Sequence, residues 1–262
     1  MNYSIGTAEC NGFQMDYIKF GSGSKYFVMI PGISLKSITL SAKAIADAYC
    51  DFAEDYTVFV FDRRKNVQQG YSLEQMADDT AVAMRSIGIS NAYVFGASQG
   101  GMISQFLAAN HPDLVGKLVL GSTMSRPNEL SDKSLRNWLE LANLHDVQAL
   151  NHDCFFKMYS PEFLDSLKDA LPLIEKNGTA EECDRFAIFV ESMFDFNAYD
   201  RLSEIKCPVL VLGAKKDNVL GVNGSLEIIE KLGCESYIYE NGYHAAYDEA
   251  TDYKQRLMHF FK

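Results

Sequence analysis

Ala92-Tyr93-Val94-Phe95-Gly96-Ala97-Ser98-Gln99-Gly100-Gly101-Met102 runs an apolar segment into the pattern G-x-S-x-G and on into Met102, Ile103, Phe106 and Leu107. The apolar segment fits a strand buried on both faces, and the spacing after the motif fits one face of a helix. Glycines at 96 and 100 allow a strand-to-helix turn so tight that a Cβ on either side would clash, which leaves Ser98 exposed at the tip. There it stands at a helix N-terminus, whose free amides and positive dipole end stabilise developing negative charge. The strand, turn and helix context is what separates a nucleophile from a structural serine turn that matches a short pattern by chance.

A serine hydroxyl is a poor nucleophile near neutral pH; it needs a base, itself held in one tautomer by a carboxylate. Downstream, Val209 to Gly213 reads as a strand, followed by a short loop that ends in Asp217, at the sheet edge where ligands gather. The alternative for Asp217 is a solvated loop aspartate beside Lys215 and Lys216. Asp195 and Asp200 precede that strand and so fall at its other end. Of the five histidines, His244 alone follows a late strand, on a loop just before the last helix, and is the best base. His111 sits at a helix end, His145 and His152 fall in a middle region of other character, and His259 lies in the final helix, where packing or solvation is the commoner role.

Outward from this centre, Asn11-Gly12 between Ser4 to Cys10 and Phe13 to Phe20 predicts a two-residue hairpin turn with positive φ at both positions. Short apolar runs follow at Tyr26 to Ile30, Thr57 to Phe61, Lys117 to Leu120 and Ser236 to Tyr239. Helical stretches separate them: Ser72 and Gln75 form a capping box before Met76 to Ile87, with Gly88 as the stop, and further helices span Leu226 to Leu232 and about Tyr247 to Phe261. This alternation predicts an α/β fold, a mostly parallel, doubly wound sheet covered on both faces. Residues 122–208 far exceed the dozen or so that a simple crossover needs. Their apolar residues recur at helical spacing (Leu135, Trp138, Leu139 and Ala142; Phe163, Leu164, Leu167 and Leu171; Phe186, Phe189, Val190 and Met193), so a helical cap is expected at 125–200, inserted into a core of 1–124 and 201–262 that it packs against.

With serine, acid and histidine in that order, the chain resembles the α/β-hydrolase family over nearly its whole length. Phe61-Asp62-Arg63-Arg64, Pro112 to Leu120, Cys207-Pro208 and His244-Ala245-Ala246-Tyr247 are further landmarks. The resemblance implies an oxyanion hole of two backbone N–H groups, those of Ile33 after the early strand and of Gln99 after the nucleophile, each worth on the order of 3 kcal/mol to the transition state. Pro31 stands where a histidine is common, Tyr243 where a small residue is commoner, and Gly221 where a proline often follows the acid. Serine rather than aspartate at position 98 disfavours the dehalogenase and epoxide-hydrolase branches.

Composition narrows the rest. At 262 residues and 47% apolar, the chain suits one α/β domain, and a net charge of −11 disfavours nucleic acid and anionic membrane as partners. Lacking a basic segment before an apolar run, and any stretch long enough to span a bilayer, it is expected to be soluble and cytoplasmic. The six cysteines are scattered without metal-ligand spacing and are expected to be free and buried. The expected activity is hydrolysis of a small or medium carboxylic ester, thioester or lactone through an acyl-enzyme on Ser98, with Asp217 and His244 and without metal or cofactor. Cap aromatics such as Trp138, Phe155, Tyr159 and Phe186 suffice to line an apolar acyl or aryl pocket, although aromatics at helical spacing more often pack helices. Most of the net negative charge falls in residues 125–200; acids facing a pocket there would favour a cationic substrate, as in the aminopeptidases of this architecture. Acyl transfer shares every residue named, and a non-catalytic small-ligand binding module is the alternative from another class.

Overall fold

The computed structural model describes residues 1–262, and each apolar run expected as a strand forms one: β1 (Tyr3–Cys10), β2 (Phe13–Phe20), β3 (Lys25–Ile30), β4 (Tyr56–Phe61), β5 (Ala92–Ala97), β6 (Val115–Gly121), β7 (Val209–Lys216) and β8 (Glu235–Tyr243). They form one eight-stranded sheet in the order β1-β2-β4-β3-β5-β6-β7-β8. The β1–β2 and β2–β4 pairs are antiparallel; every other pair is parallel. The chain reverses its direction of travel across the sheet between β3 and β5. In an open α/β sheet, ligands bind outside the carboxyl ends of the strands at such a point.

Alternate residues of the central strands enter different cores. Val28, Ile30, Val94, Leu118, Leu120 and Val211 lie on one face, whereas Phe27, Met29, Phe95, Val119, Leu210 and Leu212 lie on the other. Burial on both faces is why these runs are continuously apolar rather than alternating. The helices are α1 (Ala42–Ala48), α2 (Leu73–Ser86), α3 (Gln99–Asn110), α4 (Glu129–Asn143), α5 (Val147–Met158), α6 (Pro161–Ser166), α7 (Leu171–Glu175), α8 (Ala180–Glu191), α9 (Val222–Leu232), α10 (Ala246–Glu249) and α11 (Tyr253–Phe261). The first face packs on α2, α3 and α9, and the second on α1 and α11. The capping box of α2 forms as its residues predict, with Gln75 N–H on Ser72 Oγ at 3.2 Å and Ser72 N–H on Gln75 Oε1 at 3.0 Å.

Helices α4 to α8 fill the insertion between β6 and β7. Leu135, Trp138, Phe186, Phe189 and Val190 are buried in the same continuous core as the first face of the sheet, so these helices are seated on it. No helix of the chain is long and apolar enough to cross a membrane.

Three local expectations are corrected. Of the hairpin turn residues only Gly12 takes positive φ (94°), so the turn is not the type in which both positions do. The last helix is interrupted: α10 ends at Glu249, Ala250 is extended (φ −76°, ψ 120°), and α11 restarts at Tyr253. Ala250 leaves the helix although it stands at helical spacing from Ala246 and Tyr253, and the break delivers Tyr253 fully buried into the second core. The six cysteines are free, yet only Cys183 is buried; Cys50 is exposed and the others lie at the margins of the core.

Candidate active site

Ser98 occupies the turn between β5 and α3 with φ 52° and ψ −121°, a conformation that costs a non-glycine residue roughly 1–3 kcal/mol. Its surroundings enforce it. Ser98 N–H donates to Gly121 O at 2.8 Å, and its carbonyl accepts from Gly101 N–H at 2.9 Å. Thr123 Oγ1 donates to the same carbonyl at 2.7 Å. A Cβ on Gly96 would meet Gly100 O at 2.5 Å, and one on Gly100 would meet Ile30 O at 1.9 Å, so both motif glycines are required by close approach. The serine, expected to stand exposed at the tip of the turn, is only 6% exposed, because the surrounding loops close over it.

Asp217 follows β7 and His244 follows β8. His244 Nδ1 and Asp217 Oδ2 are 2.8 Å apart, with the two residues 1% and 5% exposed. The other carboxylate oxygen, Oδ1, accepts from Val219 N–H and Leu220 N–H, each at 2.9 Å. Burial pushes the Asp217 carboxyl up, but the neighbouring imidazole and the two amides outweigh it and hold the group below its ordinary value. With Nδ1 committed to the carboxylate, Nε2 is the nitrogen left to handle a proton. The structure therefore joins Asp217 to His244. It does not place the Ser98 hydroxyl in a hydrogen bond with the imidazole, although backbone bonds from Ser98 to Gly121 and from Ser122 to Leu212 (2.8 and 2.9 Å) tie the ends of β5, β6 and β7 together beside it.

The amides of Ile33 and Gln99 donate to no backbone acceptor. Gln99 is fully buried, so its amide is a sealed donor at the first position of α3, where the helix has no partner to offer. Pro31, Gly32, Ile33 and Gln99 line one crevice, and a Cβ on Gly32 would lie 3.2 Å from Ser98 Cβ. Of the departures from the family pattern, Gly221 has φ 77°, which no proline adopts. Pro31 has its carbonyl engaged by a side chain that sequence reasoning passed over as a mere landmark. That side chain is Arg63: its Nη2 donates to Pro31 O at 2.7 Å and to Gln99 Oε1 at 3.2 Å. Gln99 Nε2 in turn donates to Phe189 O of α8 at 2.9 Å. Arg63 is 6% exposed, and burial lowers its guanidinium to about 10, so it keeps its charge at neutral pH. No periodicity marks a lone loop arginine, and only the positions of Pro31 and Gln99 reveal it.

A cavity of about 270 Å³ lies between the loop after β3 and helices α4, α5, α7 and α8; Ile33, Leu35, Trp138, Phe155, Met158 and Phe186 are among its walls. Ala245 N–H, next to His244, donates to Met158 O at 2.9 Å. Tyr159 OH donates to Asp248 at 3.0 Å and Ser160 N–H to Glu249 at 3.1 Å, which fasten the C-terminal end of α5 to α10. The remaining four histidines are elsewhere: His111 meets Asp78, His145 meets Asp184, His152 meets Glu175, and His259 lies in α11. No three His, Cys, Asp or Glu side chains converge as ligands for a metal ion.

A family model described as the alpha/beta hydrolase fold matches residues 28–251. A protein of Caulobacter sp. (strain K31) named "Putative carbamate hydrolase RutD" is 26% identical over 186 residues, covering 68% of this chain and 69% of that protein. The crystal structure of an enol-lactonase from Burkholderia xenovorans LB400 superposes with a TM-score of 0.84 at 18% identity, over 98% of this chain and 99% of that one. An esterase from Exiguobacterium antarcticum gives a TM-score of 0.78 at 18% identity, covering 97% and 98%.

Proposed function

The chain belongs to the α/β-hydrolase fold family, and from that premise we propose that it is a serine hydrolase that cleaves carboxylic esters, thioesters or lactones through an acyl-enzyme on Ser98. One observation carries this: the sealed His244–Asp217 pair commits Nδ1 and leaves Nε2 for a proton, at the sheet edge where Ser98 is held in a strained turn. His244 takes the serine proton as Oγ attacks the carbonyl, and gives it to the leaving oxygen. The unpaired amides of Ile33 and Gln99 receive the oxyanion. Water then repeats the sequence on the acyl-enzyme. No hydrogen bond joins the resting hydroxyl to the imidazole; in this scheme the proton passes to Nε2 within the substrate complex, since hydrogen bonds of this kind often tighten only around a substrate.

Residues 125–200 act in this scheme as a cap over a core of 1–124 and 201–262, and the apolar cavity beneath α4 and α5 takes the acyl group. A carbamate, the group named for the Caulobacter relative, presents the same carbonyl and is the second substrate class, favoured by that similarity alone. The test is labelling by a fluorophosphonate probe and turnover of a chromogenic ester series. Both should be lost in Ser98→Ala; a variant that still labels and turns over as the parent does removes Ser98 from the chemistry.

A further inference from the structure

The helices that wall the cavity belong to the most acidic part of the chain, yet no Asp or Glu lines the cavity itself. The one charged lining side chain is Lys36, on the same loop as Ile33. Its ammonium donates to Asn177 Oδ1 at 2.5 Å, a neutral partner that leaves the charge uncompensated and two of its three donors open. The contact is exposed to solvent, so Lys36 stands at an open end of the cavity, where its free donors can meet an anion. A cationic substrate, conversely, finds no carboxylate there.

Ser98 and His244 are not among the walls of the cavity, but two residues tied to the site are. Ile33, whose amide is a candidate oxyanion donor, forms one wall, and Met158, which accepts the bond from Ala245 N–H beside His244, forms another. An acyl chain leaving Ser98 past Ile33 would run along Leu35, Trp138 and Phe186 toward Lys36.

Resting on the serine-hydrolase assignment above, we propose that the preferred substrate is an ester whose acyl chain, a few carbons long, ends in a carboxylate held by Lys36: a monoester of a dicarboxylic acid. Ser98 Oγ forms the acyl bond as the ester C–O bond breaks, and the alcohol leaves with the proton carried by His244. Water then adds to the acyl carbonyl, so the products are the alcohol and the dicarboxylic acid, with Ser98 restored. The carboxylate at Lys36 takes no part in either step.

The experiment compares mono-4-nitrophenyl glutarate with its uncharged counterpart 4-nitrophenyl valerate in the parent, Lys36→Gln and Lys36→Glu. The ratio of kcat/KM for the charged over the neutral ester should fall about tenfold or more in Lys36→Gln and further in Lys36→Glu. Turnover of the valerate ester and the Tm should stay near parental. An unchanged ratio in both variants overturns the proposal while leaving the serine hydrolase intact. If neither ester is turned over above the level of Ser98→Ala, the hydrolase assignment fails instead, and binding then judges the Lys36 site. Monomethyl glutarate that raises the Tm of the parent but not of Lys36→Gln upholds it, and equal shifts overturn it.

Discussion

His244 Nδ1 lies 2.8 Å from Asp217 Oδ2, and both residues are sealed from solvent. The carboxylate has no freedom to do anything but orient the imidazole, because its other oxygen is held by the amides of Val219 and Leu220. Asp217→Asn keeps the shape but offers an N–H where an acceptor is needed, which favours the wrong tautomer. Turnover should fall by about 10⁴ with KM little changed, measured by steady-state kinetics on any ester the parent accepts.

The same pair sets an acid limit on stability. The Asp217 carboxyl titrates below its ordinary value in the folded chain, so on acidification the unfolded chain takes up the proton first. The stabilisation it supplies is therefore complete above about pH 4 and is lost as pH falls through the lower folded value. Urea unfolding between pH 2 and 7 should show a steep acid loss in the parent and a shallower one in Asp217→Asn.

Gly100 and Gly88 separate two reasons for a glycine. A Cβ at 100 would sit 1.9 Å from Ile30 O and 2.5 Å from Pro31 O, both backbone atoms that cannot step aside, whereas one at 88 meets nothing and suffers only from φ 77°. Gly88→Ala should cost about 1–2 kcal/mol, and Gly100→Ala about 3 kcal/mol or more together with the activity. Similar losses at the two positions in denaturant unfolding would show that the elbow can relax.

Much of this was legible in the residues, for identifiable reasons. Val28 and Phe27 read as a continuous apolar run because both faces of the sheet are covered, and Gly96, Ser98 and Gly100 carry a steric signature of their own turn. The order of Ser98, Asp217 and His244 follows from strands that end at one edge. What stayed hidden depends on distance in space rather than along the chain. Arg63 gains its place from Pro31 and Gln99, and Lys36 from Asn177 in the connection between α7 and α8, more than a hundred residues later. The acids of residues 125–200 could not be assigned to cavity or solvent until the faces of α4, α5 and α8 were known. The break after Glu249 arises because Tyr253 is drawn into the second core, which no local propensity records.

Gly221 answers a departure from the family pattern. It caps α9 with φ 77° and ψ 148°, and proline is confined near −65°. Gly221→Pro, though it restores the commoner residue, should destabilise the chain by more than about 1 kcal/mol. A Tm equal to or above that of the parent would mean the loop after Asp217 has a second conformation available.

Arg63 is the residue whose removal should separate positioning from mere support. Its Nη2 bonds hold Pro31 O and Gln99 Oε1, the two flanks of the candidate oxyanion hole, and Gln99 passes the contact on to Phe189 O in α8. Arg63→Met preserves much of the volume and removes every donor, which leaves those acceptors unpaired at a cost of roughly 1–3 kcal/mol. If stability were all it provided, turnover well below the melting transition would match the parent. Because a displacement of about 1 Å in a group that meets the transition state costs on the order of 10²-fold, kcat should instead fall about 10- to 100-fold, with KM within a few-fold of parental. Both bonds come from the one Nη2 nitrogen, so Arg63→Lys, which keeps a charged donor on a shorter and more flexible stem, should recover part of kcat. Full activity in Arg63→Met at a lowered Tm would assign Arg63 to stability alone.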